Sequence, residues 1–150
     1  MEDRYLYKAK TTPKEKGEFN NVWVTGNLIV SNGKYYIHPA GNVVNVKNET
    51  GRIIVMHEVI PDTICQCTGL KDKNGKLIWE NDVVGFWDTY STENGQAEMD
   101  CIGKVVWDDE TISFQVTNRL SAESYEVLDE CSVIGNIFDN AELLESEEKQ

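Results

Sequence analysis

The sequence contains few basic residues, few prolines and no long apolar run. Among its 150 residues, 14 are Lys or Arg, 26 are Asp or Glu and three are Pro, so the formal net charge is −12. Apolar runs such as Ile53 to Met56 have the length of a strand, far below the roughly 20 residues that cross a bilayer. No basic segment followed by an apolar stretch opens the chain. We therefore expect no secretory signal, a cytoplasmic location and four reduced cysteines.

The charge is unevenly distributed along the chain. Residues 1–50 carry seven basic and five acidic side chains, whereas residues 51–150 carry seven basic and 21 acidic ones. The whole chain lacks the clustered cations with which a nonspecific DNA-binding protein displaces counterions from phosphates. We expect two charged segments to be solvated surface. They are the basic positions Arg4, Lys8, Lys10, Lys14 and Lys16 and the acidic positions Glu142, Glu145, Glu147 and Glu148.

Apolar and polar residues alternate along most of the sequence, which predicts strands rather than helices. Asn32-Gly33 and Asn74-Gly75 each separate two β-prone runs and predict hairpins, the first with a type I′ turn. Residues 108–111 predict a third hairpin, and the polar residues 88–100 predict a long hairpin loop. Strands are predicted over residues 4–10, 21–25, 28–30, 34–38, 43–47, 52–58, 77–79, 83–87, 102–107, 112–116 and 131–138.

Helix is predicted in two short segments. Ser121 to Ser124 predict one helical turn, and Ala141 to Glu148 predict a helix capped by Asp139-Asn140.

We expect a mainly antiparallel all-β protein with two parts. Residues 1–67 are expected to form a β meander. Residues 68–150 are expected to form a small barrel-like unit that ends in the helix, with Leu143 and Leu144 packed back on the unit. Because the apolar faces of two such parts are small, we also expect them to pack on each other or on a second subunit.

The segment from Gly69 to Leu77 comes close to a phosphate-binding P-loop but departs from it. Five residues stand between Gly69 and Gly75 where the motif has four, and Leu77 replaces the hydroxyl residue that binds magnesium. No helix is predicted to follow and direct backbone N–H groups at a phosphate, so we interpret the segment as a hairpin.

The cysteines are candidates for metal ligands or for packed thiols. Cys65 and Cys67 are separated by one residue, and Cys101 and Cys131 are distant in sequence. A structural zinc site uses two to four residues between paired cysteines, so that both sulfurs converge on the metal. A Cys-x-Cys pair on a strand lacks that turn, so we expect buried thiols and no metal site.

The histidines and carboxylates form no recognisable catalytic set. His38 and His57 are isolated, and Pro61 stands where a zinc-protease motif beginning at His57 needs its second histidine. The carboxylates of Glu80 and Asp82 and of residues 108–110 lie at strand ends, where such groups commonly bond to the local backbone. No Asp-rich calcium loop is present. We expect no catalytic residue, no cofactor and no enzymatic activity.

Three blocks of the sequence resemble one protein family. The most specific block runs from Thr68 to Val84 and reads TGLKDKNGKLIWENDVV. The second is Gly103 to Asp109 with Phe114, and the third is Val133 to Leu144. With similar segments near the N-terminus, these blocks resemble the YopX family of phage and prophage proteins across nearly the whole chain.

The chain departs from the family pattern at three positions. Asn81 replaces the usual glycine, Cys67 the usual aromatic residue and Ala141 the common proline at the first helical position. Asn tolerates positive φ well, so we expect the turn at Asn81 to be retained. The volume that Cys67 lacks must be filled by other side chains.

The resemblance implies a phage-derived protein without established enzymatic activity, and it supplies no catalytic residue. The strand order from Glu80 to Val116 also resembles a small Src-homology-3-like (SH3-like) barrel. Such barrels bind peptides or nucleic acids or serve structurally, so the fold alone does not identify a function.

We expect a non-enzymatic phage or prophage accessory protein that acts through protein–protein contact in the cytoplasm of the bacterial host. It is expected to be a homo-oligomer with a host or phage protein partner and no membrane contact; its binding residues are not identified by the sequence. One alternative is a nucleic-acid-associated regulator that uses the basic N-terminal strand or a barrel face. A second is an acidic mimic of DNA that occupies a basic groove of a host protein. An enzyme is a third, and it would require a pocket with converging polar groups.

Overall fold

The computed structural model describes residues 5–13, 20–39, 46–48, 51–53, 56–117, 124–126 and 130–145. The chain divides into two compact units, Met1–Cys67 and Thr68–Gln150. Within the described residues, no helix combines the length and apolar character needed to cross a membrane.

The described part of the first unit is built from short strands. They are β1 (Tyr7–Lys10), β2 (Trp23–Ser31), β3 (Lys34–Pro39), β4 (Val46–Asn48), β5 (Gly51–Ile53) and β6 (His57–Glu58). A short 3₁₀ helix, Pro61–Thr63, follows, and β7 (Cys65–Lys71) crosses from the first unit into the second. The strand order β6-β3-β2-β1-β7-β8 gives one six-stranded sheet, with β8 at Leu77–Trp79, and β4 pairs with β5 in a separate ribbon.

The second unit contains a five-stranded antiparallel sheet in the order β12-β11-β10-β9-β13. Its strands are β9 (Asp82–Thr92), β10 (Gly95–Asp108), β11 (Ser113–Thr117), β12 (Ser124–Glu126) and β13 (Ser132–Asn136). The short helix α1, Glu142–Glu145, lies against β10. The prediction of a mainly antiparallel β protein with one short C-terminal helix is confirmed.

Part of the predicted meander and its type I′ turn are present in the first unit, whereas β4 and β5 form a separate ribbon. Strands β1, β2 and β3 are sequential antiparallel neighbours, and Asn32 and Gly33 have φ of 52° and 75°. Positive φ at both central residues matches the twist of the flanking strands, which explains the Asn-Gly pair. Residues 21–25 and 28–30, predicted as separate runs, belong largely to the single strand β2.

The prediction of a long loop over residues 88–100 is wrong. Strands β9 and β10 pair without interruption from Lys104 opposite Val83 to Gly95 opposite Thr92, so only two residues form the turn. The ribbon was missed because its residues 88–96 are mostly polar and include Gly95; the alternation of Ala97, Met99 and Cys101 with Glu98 and Asp100 was the available signal for a strand.

The expected small barrel is not closed by the described strands, because β12 and β13 stand at the two edges of an open sheet. The predicted helical turn at 121–124 is wrong at Ser124, which begins β12; residues 121–123 lie outside the described residues. The helix predicted from residue 141 to residue 148 is described over Glu142–Glu145. The side-chain cap predicted at Asp139-Asn140 stays a prediction; Asn140 Oδ1 accepts the Asn136 N–H at 3.3 Å.

Each unit has its own apolar core, formed by the alternation that the sequence predicts. In the first, Ala9, Ile37 and Val59 are buried and contact half-buried side chains, among them Tyr7, Val24, Leu28 and Tyr35. In the second, the buried residues are Ile78, Val84, Val105, Val116 and Cys131, with Phe86, Phe114 and Val133 packed against them.

Candidate functional site

The most specific sequence block folds into the β7–β8 hairpin, whose turn is built around the Asp72 carboxylate. Asp72 is 5% exposed, and its Oδ1 accepts the backbone N–H groups of Asn74 and Lys76, both at 2.9 Å. Its Oδ2 accepts the N–H of Val133, also at 2.9 Å. One side chain therefore shapes the turn and attaches it to strand β13. The interpretation of this segment as a hairpin is confirmed.

Further hydrogen bonds hold the same turn against the chain before β13. The Lys73 N–H donates to the Cys131 carbonyl at 3.0 Å, and Asn74 Nδ2 donates to Ser132 Oγ at 3.1 Å. Gly75 has a φ of +80°, a conformation that L side chains adopt at a cost. The Asn-Gly pair thus belongs to a turn in which both backbone groups and the Asn74 side chain form hydrogen bonds.

The pKa of Asp72 is lowered from its ordinary value by this geometry. Burial alone would raise it, but the N–H groups of Val133, Lys76 and Asn74, together with the Lys76 charge, outweigh that effect. The charged form is therefore the one that the fold stabilises. A carboxylate fixed in this way does not supply the readily exchanged proton of a general acid at neutral pH.

The segment after β8 forms a second turn in the same block. Asn81 has a φ of +70°, in the left-handed region, which Asn tolerates better than most other residues with a side chain. Its N–H donates to the Val105 carbonyl at 2.8 Å, and its carbonyl accepts the Ile137 N–H at 3.0 Å. Asp82 is 2% exposed and accepts the Trp79 N–H at 2.8 Å. The expectation that the turn survives the change to Asn is confirmed.

Two glycines of the later blocks are required by close packing. A Cβ added to Gly103 would lie 2.6 Å from Val116 Cγ1 and 2.7 Å from the Thr117 carbonyl oxygen. One added to Gly135 would lie 2.6 Å from Asn140 Oδ1. These distances are shorter than real Cβ contacts, so larger residues would displace the neighbouring strand or turn.

The other candidate residues from the sequence are placed apart or engaged locally. All four cysteines are buried free thiols; Cys65 Sγ lies 3.2 Å from the Thr63 carbonyl oxygen, and Cys131 belongs to the second core. His38 and His57 lie on opposite faces of the first sheet, because His57 pairs with Ile37, the neighbour of His38. Within the described ranges, no group of three or more His, Cys, Asp or Glu side chains is arranged to hold a metal ion.

The carboxylates at 108–110 shape the turn between β10 and β11. Asp108 Oδ1 accepts the Glu110 N–H, and Asp109 Oδ1 accepts the Trp107 Nε1–H, both at 2.9 Å. The prediction that these groups bond to the local backbone is confirmed for Asp108; Asp109 bonds instead to the side chain of Trp107. Of the other charged positions, Lys8 and Lys10 lie in β1 and Glu142 and Glu145 in α1. Residues 4, 14, 16, 147 and 148 lie outside the described residues.

This turn also contains a feature that the sequence analysis missed. We call residues 107–114 the acidic hairpin end. Its loop ends at Ile112, which has a φ of 52° and a side chain that is 75% exposed. A β-branched residue is rare in this left-handed conformation, where Gly or Asn is usual. The sequence predicts Ile112 as the first residue of a strand, because it alternates with Phe114 and Val116; in the structure Ile112 belongs to the turn and β11 begins at Ser113.

Trp107 adds a second partly exposed apolar side chain to the acidic hairpin end. It is 44% exposed, and its ring meets that of Phe114 edge to face with centroids 5.1 Å apart. The hydrogen bond to Asp109 holds the indole towards the turn. Phe114 in turn packs against the second core, so the indole is fixed to the body of the sheet.

The fold and these sites define a mainly-β protein whose most specific sequence blocks serve its turns and strand contacts. The chain belongs to the YopX family, since the model of the YopX protein family matches residues 4–145. No curated protein matches the chain.

Proposed function

We propose that this YopX-family protein is a non-enzymatic accessory protein of a phage or prophage, which acts through protein–protein contact in the bacterial cytoplasm. The observation that carries the proposal is the combination of strain and exposure at Ile112. An apolar side chain gains little from facing water, and the left-handed backbone costs about 1–2 kcal/mol for a residue that is not glycine. Strained conformations of this kind concentrate at functional sites.

The local hydrogen bonds support the proposal because they order the loop in advance. Asp108 and Asp109 bond within the turn, and Thr111 Oγ1 lies 2.8 Å from Ser113 Oγ. A binding residue that is already ordered loses less conformational entropy when a partner binds. Trp is enriched among the residues that carry most of the binding energy at protein interfaces, and Trp107 is partly exposed beside this loop.

The surrounding charge indicates the chemistry of the partner. Three consecutive carboxylates, Asp108, Asp109 and Glu110, precede Ile112 in the loop and follow Trp107 in the sequence. A complementary surface would offer an apolar pocket for Ile112 with Lys or Arg at its rim. We therefore expect the partner to be a protein with a basic-rimmed apolar pocket.

Affinity capture from bacterial lysate tests the proposal when wild type is compared with two variants. Ile112→Asn removes the apolar side chain and suits the left-handed backbone, whereas Val30→Asn removes a 58% exposed side chain from the first unit. We expect a protein retained by wild type and Val30→Asn to be absent with Ile112→Asn. Equal retention by all three, or retention by none, would refute the assignment of the acidic hairpin end as the contact site.

Duplex DNA added to the captured complex distinguishes one alternative. Residues 51–150 carry 21 acidic and seven basic side chains, as an acidic mimic of DNA would. If DNA displaces the partner, the protein occupies a DNA-binding groove and acts as such a mimic. If DNA has no effect, the contact lies elsewhere on the partner.

A further inference from the structure

The outer face of the first sheet carries cationic and aromatic side chains. Side chains alternate between the two faces of a strand, so the residues between those that pack in the first core lie on the opposite face of the sheet. Lys10 pairs with Trp23, and Tyr36 pairs with Ile29, so their side chains lie on the same outer side. We call this set the outer face. It comprises Lys8, Lys10, Trp23, Thr25, Asn27, Ile29, Lys34, Tyr36, His38 and, as the pairing partner of Tyr36, Glu58. Cys65, which pairs with Lys8, lies on the same side of the sheet and is buried.

Two lysines lie over the Trp23 ring. The Nζ of Lys8 is 4.9 Å from the ring centroid, and the Nζ of Lys10 is 5.4 Å from it. These distances are typical of cation–π contacts, which hold the ammonium groups above an aromatic surface. An incoming base that stacks on the ring would displace the ammonium groups sideways, where they can meet the phosphates of the same strand.

The local charge of this part of the chain is opposite to that of the whole protein. The described ranges 5–13 and 20–39, which form β1, β2 and β3, contain three lysines and no Asp or Glu. Glu58 in β6 pairs with Tyr36, so its carboxylate lies on the same outer face and offsets one of these charges near Tyr36. A surface that is locally positive can attract an anion even where the net charge of the protein is negative.

We propose that the outer face binds single-stranded nucleic acid, with bases stacked on Trp23 and Tyr36 and phosphates bound by Lys8, Lys10 and Lys34. Trp23 and Ile29, the partner of Tyr36, are six residues apart along β2, about 20 Å at ~3.3 Å per residue. This spacing suits a strand of several nucleotides. Trp23 and Tyr36 are half-buried, so part of each ring is accessible. Sheets that present aromatic side chains beside cations bind unpaired bases through stacking, which the paired bases of a duplex do not offer.

This binding site is independent of the proposed protein contact. It lies in the first unit and uses none of the residues of the acidic hairpin end, so either proposal can fail alone. It also gives the net positive residues 1–50 a role distinct from that of the acidic residues 51–150.

Fluorescence anisotropy with a labelled oligothymidylate of about 15 nucleotides tests the site. At about 50 mM salt we expect binding in the micromolar range that weakens as salt increases. Lys8→Glu/Lys10→Glu should weaken binding at least about tenfold and reduce the log–log salt slope by about 1.4. The matched control Lys71→Glu/Lys73→Glu, which makes the same charge change at exposed lysines of the second unit, should leave affinity within about twofold.

Aromatic variants separate stacking from simple charge attraction. Trp23→Leu and Tyr36→Leu keep apolar volume in the sheet and should each weaken oligothymidylate binding about 5- to 100-fold. Thermal melting of each variant shows whether it folds, and the lysine pair provides an independent readout if an aromatic variant does not. The proposal is overturned by any of three results: no binding at about 100 µM protein and low salt, equal binding of a duplex or heparin, or unchanged affinity in Lys8→Glu/Lys10→Glu.

Discussion

Replacing Asp72 by Asn tests whether its carboxylate organises the second unit. The amide side chain can still accept the Asn74 and Lys76 N–H groups through its oxygen, but its NH₂ group would face the Val133 N–H, so two donors would meet. The variant loses one hydrogen bond to a charged acceptor and leaves a partly buried N–H without a partner. We expect Asp72→Asn to lower the free energy of unfolding by about 2–4 kcal/mol.

The pH dependence supplies a more specific readout than the loss at neutral pH. The folded-state pKa of Asp72 lies below its value near 3.9 in the unfolded chain. The carboxylate therefore stabilises the fold above about pH 4, and this contribution is lost as pH falls through the folded-state pKa. Because Asn does not titrate, the stability difference between wild type and Asp72→Asn should shrink as pH falls below about 4.

Urea unfolding followed by circular dichroism, from neutral to acidic pH, measures both effects. Asp100→Asn removes an exposed carboxylate in β10 and serves as the control, with an expected change within about 0.5 kcal/mol. A stability of Asp72→Asn equal to that of wild type at neutral pH would refute the reasoning. So would a deficit that stays constant down to strongly acidic pH.

Three further predictions concern Ile112, Gly135 and the oligomeric state. Ile112→Asn should raise the free energy of unfolding by about 1 kcal/mol in urea melts, because Asn suits the left-handed backbone; Ile112→Val, still β-branched, should give no gain. Gly135→Ala should lower the free energy of unfolding by about 1–3 kcal/mol, because the added Cβ clashes with Asn140. Gly85→Ala is the control: an added Cβ there has its nearest neighbours at 3.9 Å, so the loss of stability in the same melts should be clearly smaller. Light scattering should show a homo-oligomer, and a strict monomer at all concentrations would contradict that expectation.

The strands and turns that could be predicted from the sequence are those with a strong local signal. The Asn32-Gly33 turn requires positive φ at both positions, and Asn and Gly are the residues that tolerate it best. Tyr7 and Ala9, which face the first core, alternate with lysines. The ribbon over residues 88–100 had a weaker signal, because mostly polar residues surround the alternation of Ala97 and Met99 with Glu98 and Asp100. Near the end of the described chain, Asn140 Oδ1 accepts the Asn136 N–H, a contact that an Asn placed before a helix does not by itself indicate.

The contacts around Asp72 could not be predicted, because they depend on a strand distant in sequence. Val133 is 61 residues from Asp72, and no local pattern indicates that its N–H reaches that carboxylate. Local chemistry suggested only that an Asp near an Asn-Gly pair would shape a turn. The strain at Ile112 was hidden for a different reason, since the sequence does not show which loop residue takes the left-handed conformation.

The functional residues of this protein are therefore best sought outside its most specific sequence blocks. Asp72, Asn81, Gly103 and Gly135 are each fixed by hydrogen bonds or close contacts within the second unit, so a change at any of them alters folding before it alters binding. Ile112 differs in kind, because its side chain is exposed and its backbone is strained. Ile112→Asn should make the protein more stable and less able to bind, and no purely structural residue behaves in that way.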